Sequence, residues 1–202
     1  VGTSSTFRIK YNDFNRRLVI NEKSFAPSGI NTTDGSITIS NHGYYTGEKV
    51  IHNSSFDNSN FSASNNQICY VIVVDDNTIK LSDSFLNSTS TIPTYIGITS
   101  SYSGTLSQIN PELKLYKNST VTFDLSDQSL SFTQQSTKYS AFDFNLYLDS
   151  EFNKLFESSG KTSVFEIRKY GTVGVTSDAS VVITVNENGV DYDEDNPIFT
   201  ES

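Results

Sequence analysis

The chain has 202 residues, a net charge of −9 and a pI near 4.6, which is enough length for one large domain or two small ones. Its basic residues are scattered, which argues against nucleic acid or an anionic membrane as a partner, because such binders carry a basic patch. No run of about 18 apolar residues could cross a bilayer, and a single cysteine, Cys69, excludes a disulfide framework or a cysteine metal site within the chain.

Serine, threonine and asparagine together supply 72 residues. These residue types favour turns and half-exposed strands over helices. The 14 phenylalanines and 11 tyrosines provide the aromatic bulk of a core, so we do not expect disorder. Methionine is absent, also at position 1, and we expect an internal piece of a longer polypeptide or a processed product.

Apolar and polar residues alternate along most of the chain, with the period of a half-buried strand. The predicted strands are, in chain order, FRIKY (7–11), RLVIN (17–21), SITIS (36–40), KVIH (49–52), ICYVIVV (68–74), TIKLS (78–82), LKLY (113–116), TVTFDLS (120–126), FDFNLYL (142–148), SVFEIRKY (163–170) and SVVITVN (180–186). Helical spacing occurs only in residues 149–160, which we predict as one short helix. The pattern therefore predicts an all-β protein.

The polar stretch Ser100–Gln108 has no periodicity, and we predict a domain boundary there. Residues 1–35 are predicted as lead-in strands that link to a preceding segment. Residues 36–104 are predicted as a small, barrel-like β module, and residues 105–202 as a β-sandwich module. Both modules are predicted to be antiparallel, with at most one short helix.

Both histidines of the chain, His42 and His52, lie near a glycine-rich stretch. A histidine metal site needs two or three converging ligands with acidic or thiolate support, and Glu48 is the nearest carboxylate. Turn chemistry explains Gly43 and Gly47 without a ligand, because each can take positive φ where the chain reverses. We therefore interpret the stretch as a turn that leads into a strand, with His42 in a local hydrogen bond and no metal bound.

Two acidic clusters are weaker candidates. Asp191, Asp193 and Asp195 in DYDEDN resemble an oxygen-rich calcium loop, but they lack the glycine and distal glutamate of the helix–loop–helix calcium motif. Asp75 and Asp76 lie at a predicted hairpin turn, where aspartate is expected for local hydrogen bonding. We interpret both clusters as solvated acid and expect no cofactor.

The sequence contains no recognised catalytic motif. The nearest glycine pattern, Gly171 with Gly174, has no lysine placed to bind phosphate and leads into a strand, so these two glycines are predicted as structural turns. A glycosidase needs only two carboxylates, which leaves a cell-wall-degrading enzyme as a third hypothesis. We predict that the protein is not an enzyme.

Four tyrosines, Tyr44, Tyr45, Tyr95 and Tyr102, are candidates for stacking on sugars. They would suit a receptor- or glycan-binding adhesin module of a tail fibre or surface protein. Tryptophan, the strongest stacking platform, is absent, and aromatic residues that alternate in strands more often belong to a core. The adhesin is therefore the alternative hypothesis.

Five stretches resemble segments of virion structural proteins, of the tail or baseplate-wedge type, from large contractile-tailed marine phages. They are FRIKYNDFNRRLVIN (7–21), ITISNHGYYTGEKV (37–50), CYVIVVDDNTIKLSDS (69–84), INPELKLYKNSTVTFDLSDQSLSF (109–132) and SVFEIRKYGTVGVTSDASVVITV (163–185). The resemblance extends from about Phe7 to Val185, and its motifs are structural patterns without catalytic residues. It implies a virion location.

The second predicted module also resembles a cupredoxin-like sandwich in its strand pattern. A blue-copper centre needs two histidines and a cysteine, usually with methionine. No histidine follows His52 and methionine is absent, so this resemblance implies a scaffold without a metal.

Together these resemblances imply a non-catalytic structural segment of a phage tail or baseplate protein that mediates contacts between subunits. Its partners would be other baseplate subunits. Exposed strand edges would pair with them by β-augmentation, and the acidic surface would select basic patches. The alternative partner is a glycan of the host surface.

Overall fold

The structure is a computed structural model, and it describes residues 3–54, 65–148, 151–156, 165–186 and 199–200. Its strands are β1 (Thr3–Asn12), β2 (Arg17–Phe25), β3 (Ile30–Asn31), β4 (Ser36–Thr38), β5 (Lys49–Ser54), β6 (Gln67–Asp75), β7 (Thr78–Ser82), β8 (Gly104–Gln108), β9 (Leu113–Lys114), β10 (Ser119–Asp124), β11 (Ser131–Gln134), β12 (Thr137–Ser140), β13 (Phe165–Tyr170), β14 (Ser180–Val185) and β15 (Phe199–Thr200). The helical elements are α1 (Phe85–Thr89) and two 3₁₀ turns, Pro27–Gly29 and Gln128–Leu130. The all-β prediction is confirmed, with one short α-helix in the described residues.

The chain divides into two compact units. Unit 1 contains residues 1–20 and 110–202, and unit 2 contains residues 21–109. The sequence predicted a separate lead-in segment over residues 1–35, but the structure divides these residues between the two units. The physical reason is the pairing of β1, which lies beside β10 of unit 1 and so belongs to the core of that unit.

Unit 2 is built on a sheet in the order β2–β8–β5–β6–β7–β4–β3, with antiparallel pairing between the strands from β8 to β3. Strand β8 was not predicted, because its sequence GTLSQ carries one apolar side chain, and the sequence placed a boundary there. That side chain, Leu106, is completely buried. Strand β8 therefore lies inside unit 2, and the boundary follows Ile109.

The core of unit 2 combines apolar residues of these strands with others from the segments that connect them. Its members are Phe25, Ile30, Ile37, Ile39, Tyr44, Val50, Cys69, Val71, Ile79, Leu81, Ile96, Ile98, Tyr102 and Leu106. In β7 the burial alternates through Ile79 and Leu81, as the period-2 pattern of TIKLS predicted.

Unit 1 is built on a sheet in the order β13–β14–β10–β1–β2. Strands β1 and β10 are parallel, with Phe7 opposite Phe123, while β10 with β14, β14 with β13, and β1 with β2 are antiparallel. The sheet is therefore mixed, where the sequence predicted only antiparallel pairing. Pairing direction depends on the path of the chain between strands, which a period-2 pattern does not contain.

Residues 149–160 were predicted as a short helix, but residues 151–156 are not helical, and the rest of that stretch lies outside the described residues. The backbone of this segment is used in pairing instead. The N–H of Leu148 donates to the carbonyl of Lys154, and the N–H of Phe156 donates to the carbonyl of Leu146, each at 2.8 Å. The α-helix of the described residues is α1, whose first turn is capped by the Ser84 hydroxyl.

Among the described residues, no helix has the length and apolar character needed to cross a membrane.

Candidate functional site

His42 is buried and bonded at both ring nitrogens. Its Nε2 lies 2.7 Å from the carbonyl oxygen of Asp75, and its Nδ1 accepts the backbone N–H of Tyr44 at 2.9 Å. Because a carbonyl oxygen only accepts, Nε2 carries the proton in this arrangement. The ring also stacks on Tyr44, with centroids 5.4 Å apart. These contacts hold His42 in a local structural role.

His52 is completely buried in β5. Its Nε2 lies 3.0 Å from the Tyr102 hydroxyl, and its ring stacks against Phe25 with centroids 6.2 Å apart. In the part of the chain that the structure describes, no group of three or more histidine, cysteine, aspartate or glutamate side chains could hold a metal ion. His42 and His52 thus make separate sets of protein contacts.

Glu48 is the charged residue whose environment the sequence did not reveal. Its side chain is 1% exposed. Gln108 Nε2 donates to Oε1 at 2.5 Å, and the backbone N–H of Tyr45 donates to Oε2 at 3.1 Å. Asn21 Nδ2 extends this network by donating to Gln108 Oε1 at 3.0 Å. Burial raises the pKa of the Glu48 carboxyl, and the hydrogen bonds offset part of that change.

Lys23 places an amine beside this network. Its Nζ donates to the carbonyl oxygen of His42 and lies 5.1 Å from the centroid of the Tyr44 ring. Burial lowers the pKa of Lys23, and the carboxylate of Glu48 opposes that change. We call Asn21, Lys23, His42, Tyr44, Glu48 and Gln108 the Glu48 cluster. Because its acid is enclosed by protein donors, the cluster suits internal bonding better than attack on a substrate.

All four glycines that the sequence assigned to turns have positive φ. The values are 66° for Gly43, 92° for Gly47, 60° for Gly171 and 71° for Gly174. At Gly47 a Cβ would also lie 2.8 Å from the Phe85 ring, so glycine permits both the turn and the packing of α1 against it.

The other sequence candidates lie in different environments. Tyr44 and Tyr102 are buried, whereas Tyr45 and Tyr95 are 50% and 42% exposed.

Cys69 is completely buried, and burial raises the pKa of its thiol to about 12. Asp75 and Asp76 lie at the turn from β6 to β7, where the Asp75 carboxylate accepts the N–H of Asn77 at 2.8 Å. The calcium candidates Asp191, Asp193 and Asp195 lie outside the described residues.

Unit 2 exposes several large apolar side chains in one short stretch, residues 84–95, which we call the α1 segment. Phe85 is 58% exposed, Leu86 77%, Ile92 86% and Tyr95 42%. The segment is nevertheless ordered by hydrogen bonds, since the N–H of Thr94 donates to the carbonyl of Asn87 at 3.0 Å. The α1 segment therefore combines exposed large apolar side chains with a hydrogen-bonded backbone.

Unit 1 has a second unusual surface along residues 142–148, which we call the cover segment. The segment packs Phe142, Phe144, Leu146 and Leu148 against the core of unit 1. Residues of this segment line two cavities in the described part of unit 1. The Ile9 cavity, of about 240 Å³, is lined by Ile9, Leu18, Val19, Ile20, Asn110, Pro111, Leu113, Phe123, Asp143, Phe144, Asn145, Leu146, Tyr147 and Phe152. The Ile167 cavity, of about 260 Å³, is lined by Phe144, Asn145, Leu146, Leu155, Phe156, Ile167, Lys169 and Val181.

Comparison of the chain with protein-family models, with curated proteins and with solved structures found no match.

Proposed function

We propose that this chain is a non-catalytic structural segment of a contractile-phage tail or baseplate protein, and that it mediates contacts between subunits. The observation that carries the assembly role is the α1 segment, where Phe85, Leu86, Ile92 and Tyr95 expose apolar surface. Exposed apolar surface of this kind marks interaction sites on soluble proteins. The resemblance of the five sequence stretches to virion proteins supports the phage context.

The contacts of the buried ionisable groups support a structural role. A catalytic interpretation would use His42, His52 or Glu48. Each of these side chains is buried and makes hydrogen bonds to other groups of unit 2. The net charge of −9 favours partners with basic surfaces, because complementary charge steers association and suppresses wrong pairings.

Quantitative peptide mass spectrometry on purified virus particles tests the phage context. The parent chain should be present in the particles, in a copy number set by the sixfold symmetry of a contractile baseplate. Its recovery only from cell-envelope or secreted fractions would overturn this proposal.

Substitutions in the α1 segment test the assembly role. Leu86→Asp and Ile92→Asp place charge on surface that is at least 77% exposed, so they should reduce incorporation into particles while changing the free energy of unfolding by less than about 0.5 kcal/mol. The matched control is Phe14→Asp, which alters a side chain 75% exposed in unit 1. Equal incorporation of all three variants would contradict the role of the α1 segment.

A second candidate function is glycan binding, and one observation favours it. Phe132 and Tyr139 lie opposite each other in the β11–β12 hairpin; their rings stack 5.6 Å apart, and both are nearly half exposed. Titration calorimetry of the chain with host-surface glycans, compared with Phe132→Ala, tests this function. Binding that the substitution abolishes would favour the adhesin over the assembly role.

A further inference from the structure

The cover segment has the burial pattern of a strand. Among the described residues, however, its middle makes no backbone hydrogen bonds to a neighbouring strand. Phe142, Phe144 and Leu146 pack against the core, whereas Asp143 and Asn145 are exposed. In the part of the chain that the structure describes, its pairing lies at the far end, where Tyr147 bridges to Leu155. Among the described residues, the backbone N–H and C=O groups of residues 143–145 make no hydrogen bond to protein. An extended segment with open backbone groups is a template for another strand.

Among the described residues, the two cavities leave room for a side chain of such a strand. Neighbouring strands lie about 4.8 Å apart in a sheet, so an added strand would run directly beside the cover segment and over one cavity. The Ile9 cavity has a volume of about 240 Å³. A cavity of about 150 Å³ with an apolar lining accommodates a benzene ring, so the Ile9 cavity can accept a large apolar side chain.

The two cavities lined by the cover segment differ in the charge of their lining residues. Among the described residues, Asp143 is the one charged residue in the lining of the Ile9 cavity, and Lys169 is the one charged residue in the lining of the Ile167 cavity. Asp143 is exposed, so its carboxylate is accessible to a cation from outside. An incoming strand on the Ile9 side would therefore be favoured by a basic residue next to its apolar one.

We propose that an extended strand of a neighbouring subunit pairs with residues 143–145, inserts an apolar side chain into the Ile9 cavity and places a lysine or arginine beside Asp143. Backbone pairing supplies affinity, and the cavity with Asp143 supplies selectivity. This inference rests on the proposed assembly function and identifies its partner as a basic, apolar strand. The partner strand lies beside the cover segment and extends the layer that this segment forms over the core of unit 1.

Photo-crosslinking in purified particles tests the inference. The photoreactive amino acid p-benzoylphenylalanine replaces Phe152, which lines the Ile9 cavity and is 50% exposed. The expected product joins this position to a segment of another subunit in which apolar residues alternate and a lysine or arginine adjoins the cross-linked site. Cross-links confined to the same chain, to a segment without that pattern, or absent altogether would overturn the inference.

The same photoreactive group at Leu86 separates failure of the inference from failure of the proposed function. Cross-links from Leu86 to other subunits, without an intersubunit product from position 152, would leave the assembly role standing and reject strand addition. No intersubunit product from either position, with the chain absent from particles, would reject both.

A pair of substitutions at one position tests the backbone pairing. Asn145→Pro removes an N–H that an added strand would use, whereas Asn145→Ala keeps it. Since that N–H has no protein partner among the described residues, both variants should fold, with matching circular dichroism spectra. We expect the cross-link yield from position 152 to fall at least tenfold with proline and to stay within twofold with alanine. Equal yields would reject strand pairing at this edge.

Asp143→Asn tests the charge without altering the backbone. We expect the cross-link yield from position 152 to fall severalfold at low salt and to converge with the parent chain at high salt, because screening removes the contribution of an exposed charge. An unchanged yield at low salt would reject the basic residue of the partner strand.

Discussion

Unit 2 and unit 1 use similar β-rich sequences but complete their cores differently. In unit 2 the strand β8, with a single apolar side chain, has neighbours on both sides in the sheet. In unit 1 the cover segment alternates more regularly, yet residues 143–145 make no ladder among the described residues. The difference teaches that alternation determines which face of a segment is buried, while pairing depends on what lies beside it.

Large-to-small substitutions should give the largest difference between the two units in the free energy of unfolding. Leu106→Ala should lower the free energy of unfolding of unit 2 by about 3 kcal/mol, because Leu106 is completely buried. Phe144→Ala should cost unit 1 only about 1–2 kcal/mol, because cavities already flank that side chain. Native-state hydrogen exchange, which reports each unit separately, measures both. Equal costs would show that the cover segment is as tightly packed as β8.

The next largest change in stability is expected at Gly104, where the backbone of β8 lies close to β5 and to Phe25. A Cβ at Gly104 would lie 2.5 Å from the carbonyl oxygen of Asn53 and 2.4 Å from the ring of Phe25. Gly104→Ala should therefore destabilise unit 2 by about 2 kcal/mol. Gly97→Ala is the matched control, since its Cβ would meet nothing within 4 Å, and it should be neutral or stabilising. Chemical denaturation measures the stability of the two variants. Similar denaturation midpoints would contradict tight packing of β8.

We expect the Glu48 cluster to make the stability of unit 2 sensitive to pH. Because burial raises the pKa of Glu48 above its usual 4.5, the folded state holds the proton more tightly than the unfolded chain. Stability from this group is therefore present below the unfolded pKa and is lost as the pH rises through the folded pKa. A tenfold difference in proton affinity between the folded and unfolded states corresponds to about 1.4 kcal/mol of stability.

Glu48→Gln should flatten the decline of unit 2 stability as the pH rises above about 4.5. The control is Glu22→Gln, which makes the same substitution at an exposed carboxylate of the same unit. Urea denaturation at a series of pH values, monitored by hydrogen exchange of β5, measures how steeply the stability of unit 2 changes with pH. An unchanged slope in Glu48→Gln would mean that Glu48 titrates as it does in the unfolded chain.

The sequence predicted the all-β class and most strands, because burial on one face produces a period-2 pattern. It did not predict β8, whose burial comes from its neighbours. The β11–β12 hairpin was also missed, since Gln135 and Ser136 take positive φ at its turn without the Asn-Gly signal that such turns favour. Among the candidate residues, the glycine turns were visible from residue type. The burial of Glu48 was not, because its partners Gln108 and Asn21 are distant in sequence.

That hairpin provides the smallest expected effect. Phe132 and Tyr139 are opposite each other on exposed strands, so their contact should stabilise unit 1 by only about 0.5 kcal/mol. A double-mutant cycle with Phe132→Ala and Tyr139→Ala measures this coupling by chemical denaturation. The value should be small because a two-stranded hairpin is marginal by itself and both rings remain nearly half exposed. A coupling above about 1.5 kcal/mol would instead show that the rings are packed as a core pair, and the hairpin would then resemble unit 2 more than the open surface of unit 1.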